Sequence, residues 1–249
     1  MQVPTSAKSA YAAQLRKRLL GSEDIASELR ELLPADLQGW GHDHDAFELM
    51  FSLLDIKVFL EVGTWKGMTS IRVAKEMIKR GIEGAIFCVD TWLGGEEHFG
   101  YRDMRRLAGY PRLYDQFLSN CVHEGVAPLI VPVPTTSHIG SVVLAREGIK
   151  ADVIYVDASH EYADVLADLN DYFPLLKEGG LFIGDDYHAS WPGVIRAARE
   201  FADKNDLRIY IWATKYFLQP KAVPPLAGHF LDVTDRPGVF YNGEAGYVG

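Results

Sequence analysis

Ile56-Lys57-Val58-Phe59-Leu60-Glu61-Val62 is a short apolar run that passes directly into Gly63-Thr64-Trp65-Lys66-Gly67. The next segment, Met68 to Arg80, changes rhythm. Ile71, Ala74, Met77 and Ile78 fall on one helical face, and Gly81 stands at the end. The stretch therefore predicts a buried strand, a glycine turn and a helix. Outward from it the pattern repeats. Ala85 to Asp90 is a second strand, Tyr114 to His123 a helix, and Leu129 to Val133 a third strand. Ser141 to Glu147 is a short helix, Val153 to Asp157 the fourth strand, and Asp164 to Leu176 a helix. Gly179-Gly180 turns into a fifth strand, Leu181 to Asp185, and a helix covers Gly193 to Lys204. Arg208–Trp212 and Tyr216–Gln219 lie too close for a parallel crossover, so they form an antiparallel hairpin. Strand–helix alternation of this kind predicts an α/β fold: a doubly wound, mostly parallel seven-stranded sheet whose last strand is antiparallel.

The flanks carry no such alternation. Residues 11–33 read as helical, with Leu15, Leu19 and Leu20 on one face and Ile25, Leu29, Leu32 and Leu33 on another. Gly21-Ser22 breaks the segment and Pro34 ends it. With a second helix at Asp45–Leu54, residues 1–55 form an N-terminal helical cap, 56–220 the sheet domain, and 221–249 a tail that packs on the domain or on a neighbouring subunit of a homo-oligomer.

Composition narrows the partners. The 249 residues hold 25 Lys+Arg against 34 Asp+Glu, a net charge of -9, which argues against a nucleic-acid partner. No apolar run reaches the roughly 18–20 residues of a membrane span, and the first ten residues have no hydrophobic signal core. Cys88 sits in an apolar run and reads as a buried thiol, which fits a reducing, cytoplasmic compartment rather than a disulfide scaffold.

In doubly wound sheets ligands bind beyond the carboxyl ends of the strands. At the first such end, Glu61-x-Gly63-x-x-x-Gly67 is neither G-x-G-x-x-G, since Trp65 fills the second glycine position, nor a P-loop, since Met68 follows Gly67. Glu61 disfavours a phosphate and suits a cationic or hydroxyl-bearing ligand. At the second end, Asp90 can accept the hydroxyls of a ribose, or it is a loop aspartate. Asp157-Ala158-Ser159-His160 ends the fourth strand and Gly184-Asp185-Asp186-Tyr187-His188 the fifth. Carboxylates converging from adjacent strands repel one another, and a hard divalent cation such as Mg²⁺, Ca²⁺ or Mn²⁺ resolves the conflict. The bland alternative makes Asp185-Asp186 a loop pair and Asp157 a helix cap.

The glycine turn together with Val89-Asp90-Thr91-Trp92 resembles the class I S-adenosylmethionine-dependent methyltransferases over residues 56–220. The resemblance implies that Glu61, Gly63, Thr64, Trp65 and Gly67 shape the cofactor cleft and that Asp90, Thr91 and Trp92 adjoin the ribose. It further implies that Ser137, after the third strand, lies by the adenosine, with Asp157 at the edge of the cofactor site. The stretches Val156-Asp157-Ala158-Ser159-His160-Glu161-Tyr162 and Gly179-Gly180-Leu181-Phe182-Ile183-Gly184-Asp185-Asp186 are similar to the metal-dependent small-molecule O-methyltransferases. More narrowly, they resemble the macrocin O-methyltransferase and cephalosporin-hydroxylase-like branch. This likeness implies a divalent cation, Mg²⁺, on Asp157, Asp185 and Asp186, and a hydroxylated small molecule, a sugar or secondary metabolite, as methyl acceptor. The chain departs from that pattern where a base is expected: Ser159 replaces a second aspartate and His160 a lysine. Histidine titrates near neutrality, so His160 takes the acceptor proton or else orients Asp157, and His188 is a second candidate. The rival functions are a metal-independent methyltransferase and a non-catalytic cofactor-binding protein of the same fold.

Three further features stand outside this pattern. His42 and His44, with Asp43 and Asp45, read as a surface loop, and Trp40 as part of a lid. The segment Leu93–Pro111 holds Gly94-Gly95, Glu96-Glu97-His98 and Arg102, Arg105 and Arg106. These arginines meet an acidic substrate or line a solvated helix face, and Phe99, Tyr101 and Tyr110 cover an organic acceptor.

Overall fold

Why the chain turns where it does is clearest at its glycines and caps. In the computed structural model, residues 9–40, 45–95, 98–101, 104, 106–243 and 246–248 are described. His42, Asp43, His44, Glu96, Glu97, Arg102, Arg105, Glu244 and Ala245 therefore lie outside the described residues, as does the N-terminal stretch before Ser9. The chain divides into two compact units, Met1–Gly140 and Ser141–Gly249.

In the first unit, Ser9 opens helix α1 (Ala10–Leu20) by accepting from the Ala12 N–H at 3.1 Å, and its hydroxyl donates to the Gly84 carbonyl at 2.6 Å. The sequence pattern predicts that helix resumes after a break and runs to residue 33, but α1 ends at Gly21. That residue is left-handed (φ 77°), and its N–H closes on the Lys17 carbonyl. Asp24 then caps a single 3₁₀ turn, Ile25–Glu28, and the chain goes on irregularly to Leu33, which is buried while Leu32 is half exposed. After α2 (Ala46–Leu53) come β1 (Val58–Val62), α3 (Met68–Lys79) and β2 (Ala85–Asp90). β3 (Arg106–Leu107) and β4 (Tyr110–Pro111) form a small hairpin where a solvated helix face was one expectation. Helix α4 (Leu113–His123) and β5 (Ile130–Pro134) complete the unit's regular elements. β1, β2 and β5 pair in parallel, with Val58 opposite Ala85 and Ile86 opposite Ile130. All five residues of β1 are buried, as a strand covered on both faces requires. Both cysteines, Cys88 and Cys121, are buried free thiols.

Helix α5 (Ser137–Arg146), within which the division falls, begins four residues before the sequence pattern placed it. The second unit holds β6 (Ala151–Val156), α6 (Tyr162–Tyr172), β7 (Leu176–Gly184), α7 (Pro192–Lys204), β8 (Leu207–Trp212), β9 (Lys215–Pro220) and β10 (Leu231–Asp232). Their order is β6-β7-β9-β8-β10; β6 and β7 are parallel, and β9 runs antiparallel to both β7 and β8. Gly179-Gly180 is not a turn before the strand. It lies inside β7 at a register irregularity opposite Ala151–Val153, and a Cβ on Gly180 would meet the Asp152 carbonyl at 2.8 Å. Gly184 is required because the Tyr216 ring of β9 crosses it, 2.0 Å from where a Cβ would stand. Among the described residues the sheet strands number eight, not seven, because β10 from the tail adds antiparallel to β8 through Leu231↔Ile211. The tail also forms a hairpin, β11 (Phe240–Tyr241) with β12 (Tyr247–Val248). Among the described residues no helix is long and apolar enough to cross a membrane.

Candidate active site

The two strand-end clusters lie in different units and are described in turn. In the first unit the turn after β1 is built from left-handed residues: Gly63 (φ 87°), Trp65 (φ 52°) and Gly67 (φ 87°). Gly63 donates to the Val89 carbonyl at 2.9 Å, and the aromatic ring of Phe117 from α4 closes over Gly67. A tryptophan at positive φ is unfavourable by about 1–2 kcal/mol. Trp92, after β2, shares that conformation (φ 51°). One residue offsets both: Asp90 accepts from the Trp65 N–H through Oδ2 and from the Trp92 N–H through Oδ1, each at 2.7 Å. Trp92 Nε1 donates to the Trp65 carbonyl at 2.8 Å, and its ring stacks on Phe117 and packs against Tyr114. Asp90 thus ties the two loops together. Burial raises its pKa, and the surrounding amides oppose the rise. The amides of Thr64 and Thr91 also act on this carboxylate. Glu61, by contrast, is buried and accepts from the Ser70 hydroxyl of α3 beneath the turn. Thr64 is buried, Thr91 exposed, and Ser137 begins α5.

Over the same turn lies an aromatic layer. Trp65 packs on His98 (4.2 Å between centroids) and on Trp40 (5.9 Å), and His98 meets Tyr101 edge-on. Trp65 Nε1 donates to Gln38 Oε1. Trp40, expected as part of a lid, packs at a tilt against Trp65 of the turn. A cavity of about 290 Å³ opens here, lined by Asp36, Gln38, Trp65, Lys66, Tyr101, Met104 and Leu113. The sequence reading missed the ion pair beneath it, Lys66 Nζ to Asp36 Oδ2 at 2.7 Å, with Lys66 almost wholly buried. Nothing in the local pattern signals this pair, because its members are thirty positions apart.

In the second unit Asp157 follows β6 and Asp185-Asp186 follows β7. Ligating atoms of Asp157, His160 and Asp186 all lie within 4.8 Å of one another. His160 Nε2 is 2.8 Å from Asp186 Oδ2, and its ring stacks on Trp191 at 4.0 Å and 17°. Asp186 is itself left-handed (φ 63°), which an aspartate tolerates better than most residues. Asp185 has a different setting. Its Oδ2 meets Lys215 Nζ at 2.5 Å and the Tyr155 hydroxyl at 2.7 Å; its Oδ1 accepts from Thr214 Oγ1 at 2.7 Å and from the Asp186 N–H at 2.8 Å. Lys215 and Tyr155 are both fully buried, and Lys215 also donates to the Tyr155 oxygen. The Tyr155 hydroxyl stands 2.9 Å from Asp157 Oδ2, within reach of both acids. Electrostatics split the acids accordingly. Burial, then the charges of Asp185 and Asp186, push the Asp157 carboxyl up to about 7. Burial would raise Asp185 as well, but the adjoining Lys215 ammonium and the hydrogen bonds hold it below the usual carboxylate range.

Of the other expected residues, Ser159 serves the turn into α6, donating to Asp164 Oδ2 and accepting from the Glu161 N–H. His188 does not join the cluster: its Nδ1 accepts from the Ser190 N–H, and its ring faces Tyr241 of β11. Arg106 stacks on Phe99 and bonds the Gly109 carbonyl within its own hairpin. Lys215 was invisible to sequence reading, where it appears only as a polar residue at a strand start.

No curated protein matches the chain. Among solved structures it is similar to the O-methyltransferase TomG of Streptomyces achromogenes, a complex with S-adenosylmethionine. The two are 18% identical, with 88% of this chain and 92% of that one covered at a TM-score of 0.52. It is also similar to an O-methyltransferase from Bacillus cereus in complex with SAH (14% identity, 88% and 93% covered, TM-score 0.51). A third likeness is to CalS11, the TDP-rhamnose 3'-O-methyltransferase of calicheamicin biosynthesis (22% identity, 87% and 96% covered, TM-score 0.51). At such identities the likeness establishes the Rossmann-like methyltransferase fold. Residues 60–187, more than half of the chain, match the model of the methyltransferase-domain family, and the chain belongs to that family of enzymes.

Proposed function

We propose that this enzyme transfers a methyl group from S-adenosylmethionine to a hydroxyl of a small molecule, with a divalent cation assisting at the acids after β6 and β7. The observation that carries the reading is the His160–Asp186 contact of 2.8 Å beside Asp157. An imidazole held against a carboxylate is fixed in orientation and made more basic, which is what a general base needs. His160 takes the proton of the acceptor hydroxyl, Asp186 orients the ring and stabilises the imidazolium, and Trp191 keeps the ring from rotating.

The donors present fit a cation. Asp157 and Asp186 offer oxygen ligands of the kind Mg²⁺ prefers, and burial, then the neighbouring acid charges, raises the Asp157 carboxyl, the charge part of which a positive ion relieves. When bound, such an ion supplies Lewis acidity that lowers the pKa of the acceptor hydroxyl. The turn of the first unit fits the methyl donor: the Asp90 carboxylate stands at the end of β2, where a ribose would reach it, and left-handed Gly63 lets the backbone turn sharply after β1. Methyl transfer then depends mostly on positioning, since one proton is the only other atom to move. CalS11 is described as a sugar-nucleotide O-methyltransferase, which makes a sugar hydroxyl the first acceptor class to try.

Calorimetric titration with S-adenosylmethionine comes first; no binding removes the methyltransferase reading of this chain. A panel of nucleotide sugars, phenols and polyketides is then assayed with Mg²⁺ and with EDTA. Methylation that survives chelation sinks the cation, and a His160→Ala variant with full turnover removes His160 as base.

A further inference from the structure

The two consecutive acids after β7 stand in opposite settings, and Lys215 accounts for the difference. We propose that Lys215 is a positioning residue that keeps Asp185 as its internal counter-ion, so that a divalent cation is held by Asp157 and Asp186 and not by Asp185. This rests on the cation reading above.

Three observations carry it. Asp185 has two polar neighbours on each oxygen: Lys215 and the Tyr155 hydroxyl, whose one proton is also in reach of Asp157, on Oδ2, and Thr214 and the Asp186 N–H on Oδ1. A carboxylate has about four acceptor sites, so little capacity is left for an ion. Lys215 is fully buried, and turning Asp185 toward an ion would take the carboxylate from a desolvated ammonium, the costly way to break a buried pair. Finally, the backbone reverses at Asp186 (φ 63°) while its own N–H caps Asp185. The second acid is thereby delivered to His160 and Asp157, and the first stays against β9. Two carboxylates also suit Mg²⁺, which keeps several coordination positions for water and substrate oxygen.

The test titrates Mn²⁺, as a paramagnetic probe, into the purified full chain and follows it by electron paramagnetic resonance, with thermal melting of each variant alongside. Asp186→Asn is expected to weaken Mn²⁺ binding by at least about tenfold. The paired variant Asp185→Asn with Lys215→Met, which removes both charges at similar volume, is expected to bind within about threefold of wild type. Lys215→Met alone removes a positive charge from beside the acids and is expected to bind Mn²⁺ about tenfold more tightly. A paired variant that melts normally yet loses Mn²⁺ as fully as Asp186→Asn makes Asp185 a ligand and overturns the proposal. So does a Lys215→Met variant that folds and binds no more tightly than wild type. Should Lys215→Met fail to fold, the paired variant still decides. A wild type that binds no Mn²⁺ at millimolar concentration overturns the cation reading and the ligand half of this proposal. The pairing itself is then judged by melting: each single variant should melt well below the paired one, and equal melting overturns it.

Discussion

Replacing Gly67 by alanine should damage the glycine turn for a reason that can be separated into two parts. Gly67 has φ 87°, and a Cβ there would stand 2.6 Å from Phe117 Cδ2 and 2.8 Å from Cε2. Phe117 is fully buried and stacked on Trp92, so its ring has no room to retreat. The left-handed backbone alone should cost an alanine about 1 kcal/mol, and the overpacking a further ~1–3 kcal/mol. Gly21 supplies the control. It is also left-handed (φ 77°) but has nothing within 4 Å of its Cβ position, so Gly21→Ala should carry the backbone part alone. For a chain of this size each kcal/mol lowers Tm by about 2–4 °C. Calorimetric melting should therefore place Gly67→Ala several degrees below Gly21→Ala, and titration should show weakened S-adenosylmethionine binding only for the former. A Gly67→Ala protein that melts no lower than Gly21→Ala would refute the clash.

The second unit supplies two further expectations. The Asp157 carboxyl, raised from 3.8 to about 7, favours the folded state while protonated; that stabilisation is complete at acid pH and is lost as pH rises through about 7. In EDTA, urea unfolding of the wild type should weaken by at most about 4 kcal/mol between pH 4 and 8, and Asp157→Asn should not show this fall; parallel pH profiles would count against it. The tail hairpin grips both loops that frame the acids: Tyr241 pairs with Tyr187 and Ala189, and Tyr247 accepts from the Ala213 N–H. Removing residues 240–249 should lower kcat about tenfold while leaving the KM for S-adenosylmethionine unchanged; a fall in cofactor affinity instead would assign the tail another role.

The order of strands and helices was legible because each buried strand is a continuous apolar run and each helix carries a period of 3.6. Boundaries were less so: the break at Gly21 falls where the sequence puts it, but only the 3₁₀ turn Ile25–Glu28 follows, although leucines continue at helical spacing to Leu33. β10 was missed because two residues paired to β8 leave no periodic trace. Strand-end logic led to Asp90, Asp157, His160, Asp185 and Asp186 from sequence alone, since topology dictates that ligand-facing residues come just after the strands. Which partner each acid takes was not in the sequence. Asp185 and Asp186 are neighbours of identical chemistry, yet one lies against a buried lysine thirty positions on and the other against His160. Asp90, read as a ribose acid, also holds two strained tryptophan turns together. Local periodicity and residue type were enough for the fold and for the shortlist of chemical groups. The pairing and charge of those groups emerged only in three dimensions, because they depend on burial and on contacts between residues far apart in the chain.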